Sequence, residues 1–165
     1  MGQYHKIVNL TKREFIDSHG LSIGTKALEQ LLSGVSTQEA LFLLLMCSNG
    51  RGGGDVRAED PHGLIGRWAG DRIAVIGDYT EDGDIEGVDT GAAYSACRSS
   101  DPTALEQLAG AALDDLPRPS NGHYLDLSPY LRPLMEQVFD LRYREEGDGA
   151  YKFYMRDFND PERVG

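Results

Sequence analysis

The sequence predicts an α+β fold, built as one compact domain over residues 1–165. Strand-like runs of β-branched and aromatic residues are interleaved with helix-like apolar runs, without a strict strand–helix–strand rhythm. A chain of 165 residues is also long enough to bury one hydrophobic core. We expect an N-terminal hairpin and a mixed or antiparallel sheet, packed on a buried central helix (37–48) with two further helices.

The N-terminal segment predicts a β-hairpin. YHKIVNL, residues 4–10, mixes β-branched and aromatic residues with polar ones, and REFI, residues 13–16, follows after Thr11-Lys12. TKALEQLLSG, residues 25–34, then predicts a short helix, because its apolar residues share one face and Gly34 can serve as a C-cap.

The helix over 37–48 has the clearest boundary signals. Ser36 and Glu39 form a capping-box pattern at its start, and an Asn-Gly pair follows its end. The run ALFLLLMC between them is apolar on all sides, which is typical of a buried helix. We therefore expect this helix at the centre of the domain and Cys47 in the core.

The remaining elements follow from shorter patterns. A proline just inside the start of a segment indicates a helix, and alternating apolar residues indicate a strand. These patterns predict strands at 71–79, 123–127 and 150–158 and helices at 101–116 and 128–143.

The charge of the chain is concentrated in its middle third. The net charge is −11, and residues 59–126 hold fourteen acidic side chains against four basic ones. A negative field of this kind repels nucleic acid and anionic membranes and attracts cations or basic protein surfaces. No apolar run is long enough to span a bilayer, and the N-terminus lacks a secretory pattern, so we expect a cytoplasmic protein with no direct nucleic-acid or membrane partner.

The densest part of this charge is GDYTEDGDIEGVD, residues 77–89, which contains no Lys or Arg. Like charges at this density repel one another unless a cation or a basic partner compensates them. One interpretation is a surface that binds a basic protein. Its candidate contact residues are Asp78, Glu81, Asp82, Asp84, Glu86 and Asp89.

The same loop is similar to the EF-hand calcium loop, with oxygen-bearing side chains at alternate positions and Gly83 at the sharp bend. The candidate ligands for calcium or magnesium are Asp78, Thr80, Asp82, Asp84, Glu86 and Asp89. The last ligand position holds Asp instead of the longer Glu, and a strand-like segment precedes the loop where an EF-hand has a helix. An exposed, solvated acidic turn is the third interpretation.

GRWAGDRI, residues 66–73, supplies a second candidate site. Arg67, Trp68 and Arg72 could bind an anion or form an interface. Alternatively, Trp68 packs in the core and the arginines neutralise part of the acidic segment. His62, with both arginines and a carboxylate, would form an enzyme site only if the fold gathered them.

MGQYHKIVNLTKREFI and GRWAGDRIAVIGDYTEDGD resemble a family of small uncharacterised proteins of bacteria and their phages. These share a Met-Gly-Gln-Tyr start, Val-Asn-Leu, and Gly-Arg-Trp-Ala-Gly-Asp-Arg followed by Gly-Asp-Tyr. The resemblance covers residues 1–85 and implies no established activity or catalytic residues. The phage association implies a protein that occupies a basic surface on a host defence protein.

These observations favour a non-enzymatic acidic protein that binds a basic protein surface and inhibits it, as an anti-CRISPR-like or other anti-defence protein does by mimicking nucleic acid. The carboxylates would stand in for phosphates in a nucleic-acid channel. Two alternatives stay open. One is a divalent-cation binding protein or metal-assisted hydrolase that uses the 78–89 loop. The other is an enzyme with a His/Arg site assembled by the fold.

Overall fold

A computed structural model of the chain describes residues 3–21, 37–52, 55–98, 112–115, 119, 122–139, 141–146 and 150–155. These residues form an α+β fold, a single small domain with three α-helices and a four-stranded mixed sheet, as predicted. The predicted helices at 25–34 and over most of 101–116 lie outside the described residues. The extent of the domain over 1–165 stays a prediction.

The strands are β1 (His5–Asn9), β2 (Glu14–Ile16), β3 (Ile73–Gly77), β4 (Leu125–Asp126), β5 (Leu141–Glu146) and β6 (Ala150–Met155). The helices are α1 (Thr37–Leu45), α2 (Thr90–Ala96) and α3 (Ser128–Phe139), and short 3₁₀ turns lie at His19–Leu21 and Leu113–Asp115.

The main sheet has the strand order β3-β1-β2-β4. Strand β1 is antiparallel to both β2 and β3, whereas β4 is parallel to β2. The predicted N-terminal hairpin is therefore confirmed, and its partner across β1 is β3 from the middle of the chain. This pairing brings the acidic segment that follows β3 beside the start of the chain.

Successive strand residues point to opposite faces of the main sheet, and each face packs against its own hydrophobic cluster. Ile7 and Ile16 join a large cluster that also contains Trp68 and buried residues of α1 and α3. Val8 and Phe15 join a second cluster. The other buried members of this second cluster are Ile76, Ala93 and Cys97.

Helix α1 is shorter and less buried than the sequence predicts. It ends at Leu45, and Phe42 on its outer side is 64% exposed, while Leu43 and Leu44 are fully buried. The carbonyls of Leu43 and Leu44 accept hydrogen bonds from the backbone N–H groups of Gly66 and Trp68, at 2.9 and 2.8 Å. The segment 66–68 thus satisfies carbonyls that a longer helix would have bonded itself.

The prediction that Cys47 is a core residue is wrong. Cys47 lies beyond the end of α1 and is exposed. Ser48 next to it has φ +65°, a left-handed conformation that turns the chain away from the helix.

Helix α3 begins at Ser128 as predicted but ends at Phe139, before the predicted Tyr143. Residues 141–146 instead pair antiparallel with 150–155 as the β5–β6 hairpin. Pairing within this hairpin has overridden the helical pattern of residues 141–143. Within the residues that the structure describes, no helix has the length and apolar character needed to cross a membrane.

Candidate interaction surface: the acidic loop

The acidic loop, defined here as residues 78–89, connects the end of β3 to the start of α2. Ile85 and Val88 are half-buried and pack against the cluster that contains Val8 and Phe15. These two apolar contacts attach the loop to the sheet. Gly83 and Gly87 have φ of +100° and +72°, so the bends between the acidic residues depend on glycine.

Three of the six carboxylates also accept hydrogen bonds from the protein itself. The Asp78 carboxylate accepts from the Tyr4 N–H at 3.0 Å. The Asp84 carboxylate accepts from the Thr80 hydroxyl at 3.2 Å and the Glu81 N–H at 2.9 Å. Asp89 is the N-cap of α2 and accepts from the Ala92 N–H at 2.8 Å. These bonds shape the loop.

All six acidic side chains of the loop are exposed. Among the described residues, no Lys or Arg side chain lies within ion-pair distance of any of them. Arg72 is beside the loop, but its guanidinium donates to the backbone carbonyl of Glu86 at 2.7 Å, not to a carboxylate. The negative charge of the loop is therefore presented to solvent.

Two of the loop carboxyls, those of Asp82 and Asp89, interact with each other. Asp82 is hydrogen-bonded to Asp89, and this bond together with the nearby negative charge of Asp89 raises the pKa of Asp82 above its ordinary value. A carboxyl whose pKa is raised in the folded state stabilises the fold at pH values below its unfolded pKa. This contribution is lost as pH rises through its folded pKa.

Asp82→Asn is therefore expected to melt at a higher temperature than the unmodified protein at neutral pH. The amide keeps a donor for Asp89 at every pH and removes the repulsion between two carboxylates. The difference should shrink as pH falls through the raised pKa of Asp82, because its own proton then restores the bond. Thermal melts of both proteins from neutral pH to about pH 4 would test this. A difference that stays constant over that range would contradict the interaction between Asp82 and Asp89.

The loop does not fit a preformed calcium or magnesium site. Within the described part of the chain, which includes all of 78–89, no group of three or more His, Cys, Asp or Glu side chains is arranged to hold a metal ion. Calcium needs six to eight oxygens around one point. Here the carboxylates of Asp78, Asp84 and Asp89 each accept from different protein donors.

Arg67 and Trp68 are interior residues, so they do not provide the anion site or surface interface considered above. The Arg67 side chain is 5% exposed and donates to Glu14 at 2.6 Å and to Asp114 at 2.9 Å. Trp68 is fully buried, and its indole N–H donates to Glu14 at 2.8 Å. Of the three predicted residues, Arg72 is exposed and lies beside the acidic loop.

The residues of the enzyme hypothesis make unrelated contacts. The ring of His62 packs edge-on against Tyr130, with the centroids 4.9 Å apart, while Arg67 binds Glu14 and Arg72 binds the Glu86 carbonyl. Burial raises the pKa of the Cys97 thiol to about 12 despite the neighbouring Lys6. A thiol of this kind is protonated at neutral pH and is a poor nucleophile.

A cleft of about 630 Å³, which the sequence did not predict, lies between α2 and the turn of the N-terminal hairpin. Its lining comes from three distant parts of the chain and includes Arg13, Asp89, His123 and Tyr124. Arg13 already donates to the Gly122 carbonyl at 2.8 Å and lies over the Tyr124 ring, and Asp89 caps α2. These contacts account for the side chains of Arg13 and Asp89, whereas the buried Nδ1 atom of His123 has no hydrogen-bond partner among the described residues.

No protein-family model, curated protein or solved structure matches this chain. The resemblance to the bacterial and phage family stays a prediction.

Proposed function

We propose that this chain is a non-enzymatic, cytoplasmic protein that binds a basic protein surface through the acidic loop and inhibits it. The partner we propose is a nucleic-acid-binding host defence complex, such as a CRISPR or restriction complex. One observation carries the proposal: all six carboxylates of the loop are exposed, and none is paired with a described cation.

A basic nucleic-acid channel is the kind of surface that such a loop complements. Duplex DNA carries one negative charge per about 1.7 Å of its axis, and its binding proteins match it with Lys and Arg. Closely spaced carboxylates present a similar density of negative charge. Their field would also accelerate the encounter with a basic partner.

Aromatic side chains in the loop and beside it support an interface role. Tyr79 is 58% exposed and Tyr4 is 47% exposed, and both flank Asp78 in the structure. Tyrosine is enriched among the residues that dominate binding energy, because it buries a large apolar ring and keeps a polar tip. The acidic loop and these two tyrosines therefore combine negative charge, which attracts a basic partner, with aromatic rings that can pack against it.

The proposal is tested by competition with DNA. Purified restriction nucleases and CRISPR effector complexes are loaded with a fluorescent DNA duplex, and the chain is titrated in at about 50 mM and about 200 mM salt. We expect displacement of DNA from at least one complex. Because DNA binding itself weakens with salt, binding of the chain to that complex without DNA is also measured at both salt concentrations and should be weaker at the higher one. Displacement from no complex, or direct binding that is indifferent to salt, would contradict the proposal.

A further inference from the structure

We propose that the open edge of β3 binds an extended basic segment of the partner, which adds to the main sheet as a fifth strand. This inference rests on the proposed function and specifies how the partner docks. Its central residue is Val75, in the middle of β3.

The hydrogen bonds at both ends of the β1–β3 pair show which backbone groups of β3 face outward. The Leu10 N–H donates to the Arg72 carbonyl at 2.9 Å, and the Asp78 N–H donates to the Tyr4 carbonyl at 3.0 Å. In an antiparallel pair, hydrogen-bonded and non-hydrogen-bonded positions alternate. Positions 72 and 78 are an even number apart, so 74 and 76 also bond β1. Residues 73, 75 and 77 therefore direct their backbone groups away from β1.

Within the described part of the chain, no strand pairs with the outward edge of β3. Strand β3 is the outer strand in the order of the main sheet. Val75 is 61% exposed, and no described residue bonds its backbone N–H or carbonyl. Two exposed large hydrophobic side chains lie on this strand or directly after it, those of Val75 and Tyr79.

The edge also lacks the features that usually prevent strand addition. Edge strands are commonly protected by Lys, by Pro or by a bulge. The sequence of β3 is IAVIG, which has no charged residue and no proline, and its register with β1 is continuous over all five residues.

Charge complementarity identifies the occupant as a basic segment. The carboxyl end of β3 leads directly into the acidic loop, so a strand laid along Val75 would place its neighbouring residues beside Asp78 and Glu81. Lys and Arg at that end would meet exposed carboxylates. A second copy of this chain would instead bring another molecule of net charge −11 to the same edge.

The probe is a nine-residue peptide of alternating threonine and valine followed by three lysines, blocked at both ends. Added parallel to β3, it places its lysines beside the acidic loop that follows the strand. Its matched control is the same peptide with alternate amides N-methylated, which keeps the charge and removes strand hydrogen bonding. Fluorescence anisotropy is measured at about 50 mM salt. We expect N-methylation to weaken binding at least about fivefold, because backbone hydrogen bonds fix the added strand.

A pair of variants tests the same contact from the protein side. Val75→Pro removes an N–H that faces the open edge and leaves the β1–β3 bonds intact, whereas Val75→Thr keeps that N–H on a β-branched residue. We expect Val75→Pro to bind the unmodified peptide at least about fivefold more weakly than Val75→Thr. Both variants should bind the N-methylated peptide alike.

The outcomes separate this inference from the proposed function. Equal, salt-sensitive binding of both peptides would overturn strand addition and leave the acidic surface in place. Binding of neither peptide would overturn both. A dimer of the free chain in sedimentation, with β3 closed to the peptide, would show that a second copy occupies the edge and would overturn the inference. If Val75→Pro does not fold, the comparison of the unmodified and N-methylated peptides still tests strand addition.

Discussion

Replacing Arg67 with methionine is expected to destabilise the fold by about 3–5 kcal/mol, the usual effect of removing one partner of a buried ion pair. Glu14 is fully buried on β2 and accepts from Arg67 and from the indole of Trp68. Without Arg67, the buried Glu14 carboxylate would lose the ion pair that now compensates its charge in the interior. Urea unfolding followed by circular dichroism measures the change.

Two controls show whether burial of the pair is the cause. Lys12→Met breaks the Lys12–Asp71 pair, in which the lysine side chain is a third exposed, and should change stability by no more than about 1 kcal/mol. Combining Arg67→Met with Glu14→Leu also removes the buried Glu14 carboxylate and should recover much of the lost stability. An effect of Arg67→Met as small as that of Lys12→Met would contradict this role for the Glu14–Arg67 pair.

Gly66→Ala is expected to destabilise the fold by about 2–5 kcal/mol, from steric overlap and a left-handed backbone together. A Cβ at Gly66 would lie 2.5 Å from the Met46 carbonyl oxygen, and Gly66 has φ +77°. The Gly66 N–H also donates to the Leu43 carbonyl, so the segment cannot move away without losing a bond to α1.

Gly63→Ala is the matched control. Gly63 has φ +66°, but nothing lies within 4 Å of the position that its Cβ would take. Gly63→Ala should therefore destabilise the fold only by the strain of an alanine in a left-handed conformation, about 1–2 kcal/mol. Both variants are compared in the same urea experiment. Equal losses would show that the contact with Met46 is unimportant for the end of α1.

Local patterns predicted the elements whose boundaries depend on neighbouring residues. The alternation in 4–10, 13–16 and 71–79 located β1, β2 and β3, and Ser128-Pro129 located the start of α3. The ends of α1 and α3 could not be predicted in this way. Helix α1 ends where Gly66 and Trp68 bond its carbonyls, and α3 gives way to a strand paired with 150–155. The end of α1 depends on a segment about twenty residues further along the chain. The end of α3 depends on a hairpin just beyond the helix, whose pairing the helical pattern of 130–143 does not indicate.

The candidate site likewise has features that the sequence predicted and features that only the fold shows. Composition alone located the acidic loop, and the structure shows its carboxylates exposed. Composition did not show that Arg67 pairs with Glu14, because the two residues are 53 positions apart. It also did not show the open edge of β3, which depends on the strand order and on the phase of hydrogen bonding with β1. Charge density is a property of sequence, whereas pairing and exposure are properties of the fold.

The central claim is that the acidic loop, and not net charge alone, attracts the partner. Glu81→Gln with Glu86→Gln removes two exposed charges from the loop. Glu59→Gln with Asp115→Asn removes two exposed charges elsewhere and leaves the same net charge. Either pair leaves the described hydrogen bonds of the loop backbone in place.

The most direct test is the association rate of each double variant with a fluorescent oligolysine, measured by stopped flow at about 30 mM salt, where screening is weak. The loop variant should associate about threefold to tenfold more slowly than the unmodified protein, and the control variant less than about twofold more slowly. Equal slowing of the two variants would mean that net charge alone drives the encounter, and the account of the loop would be wrong.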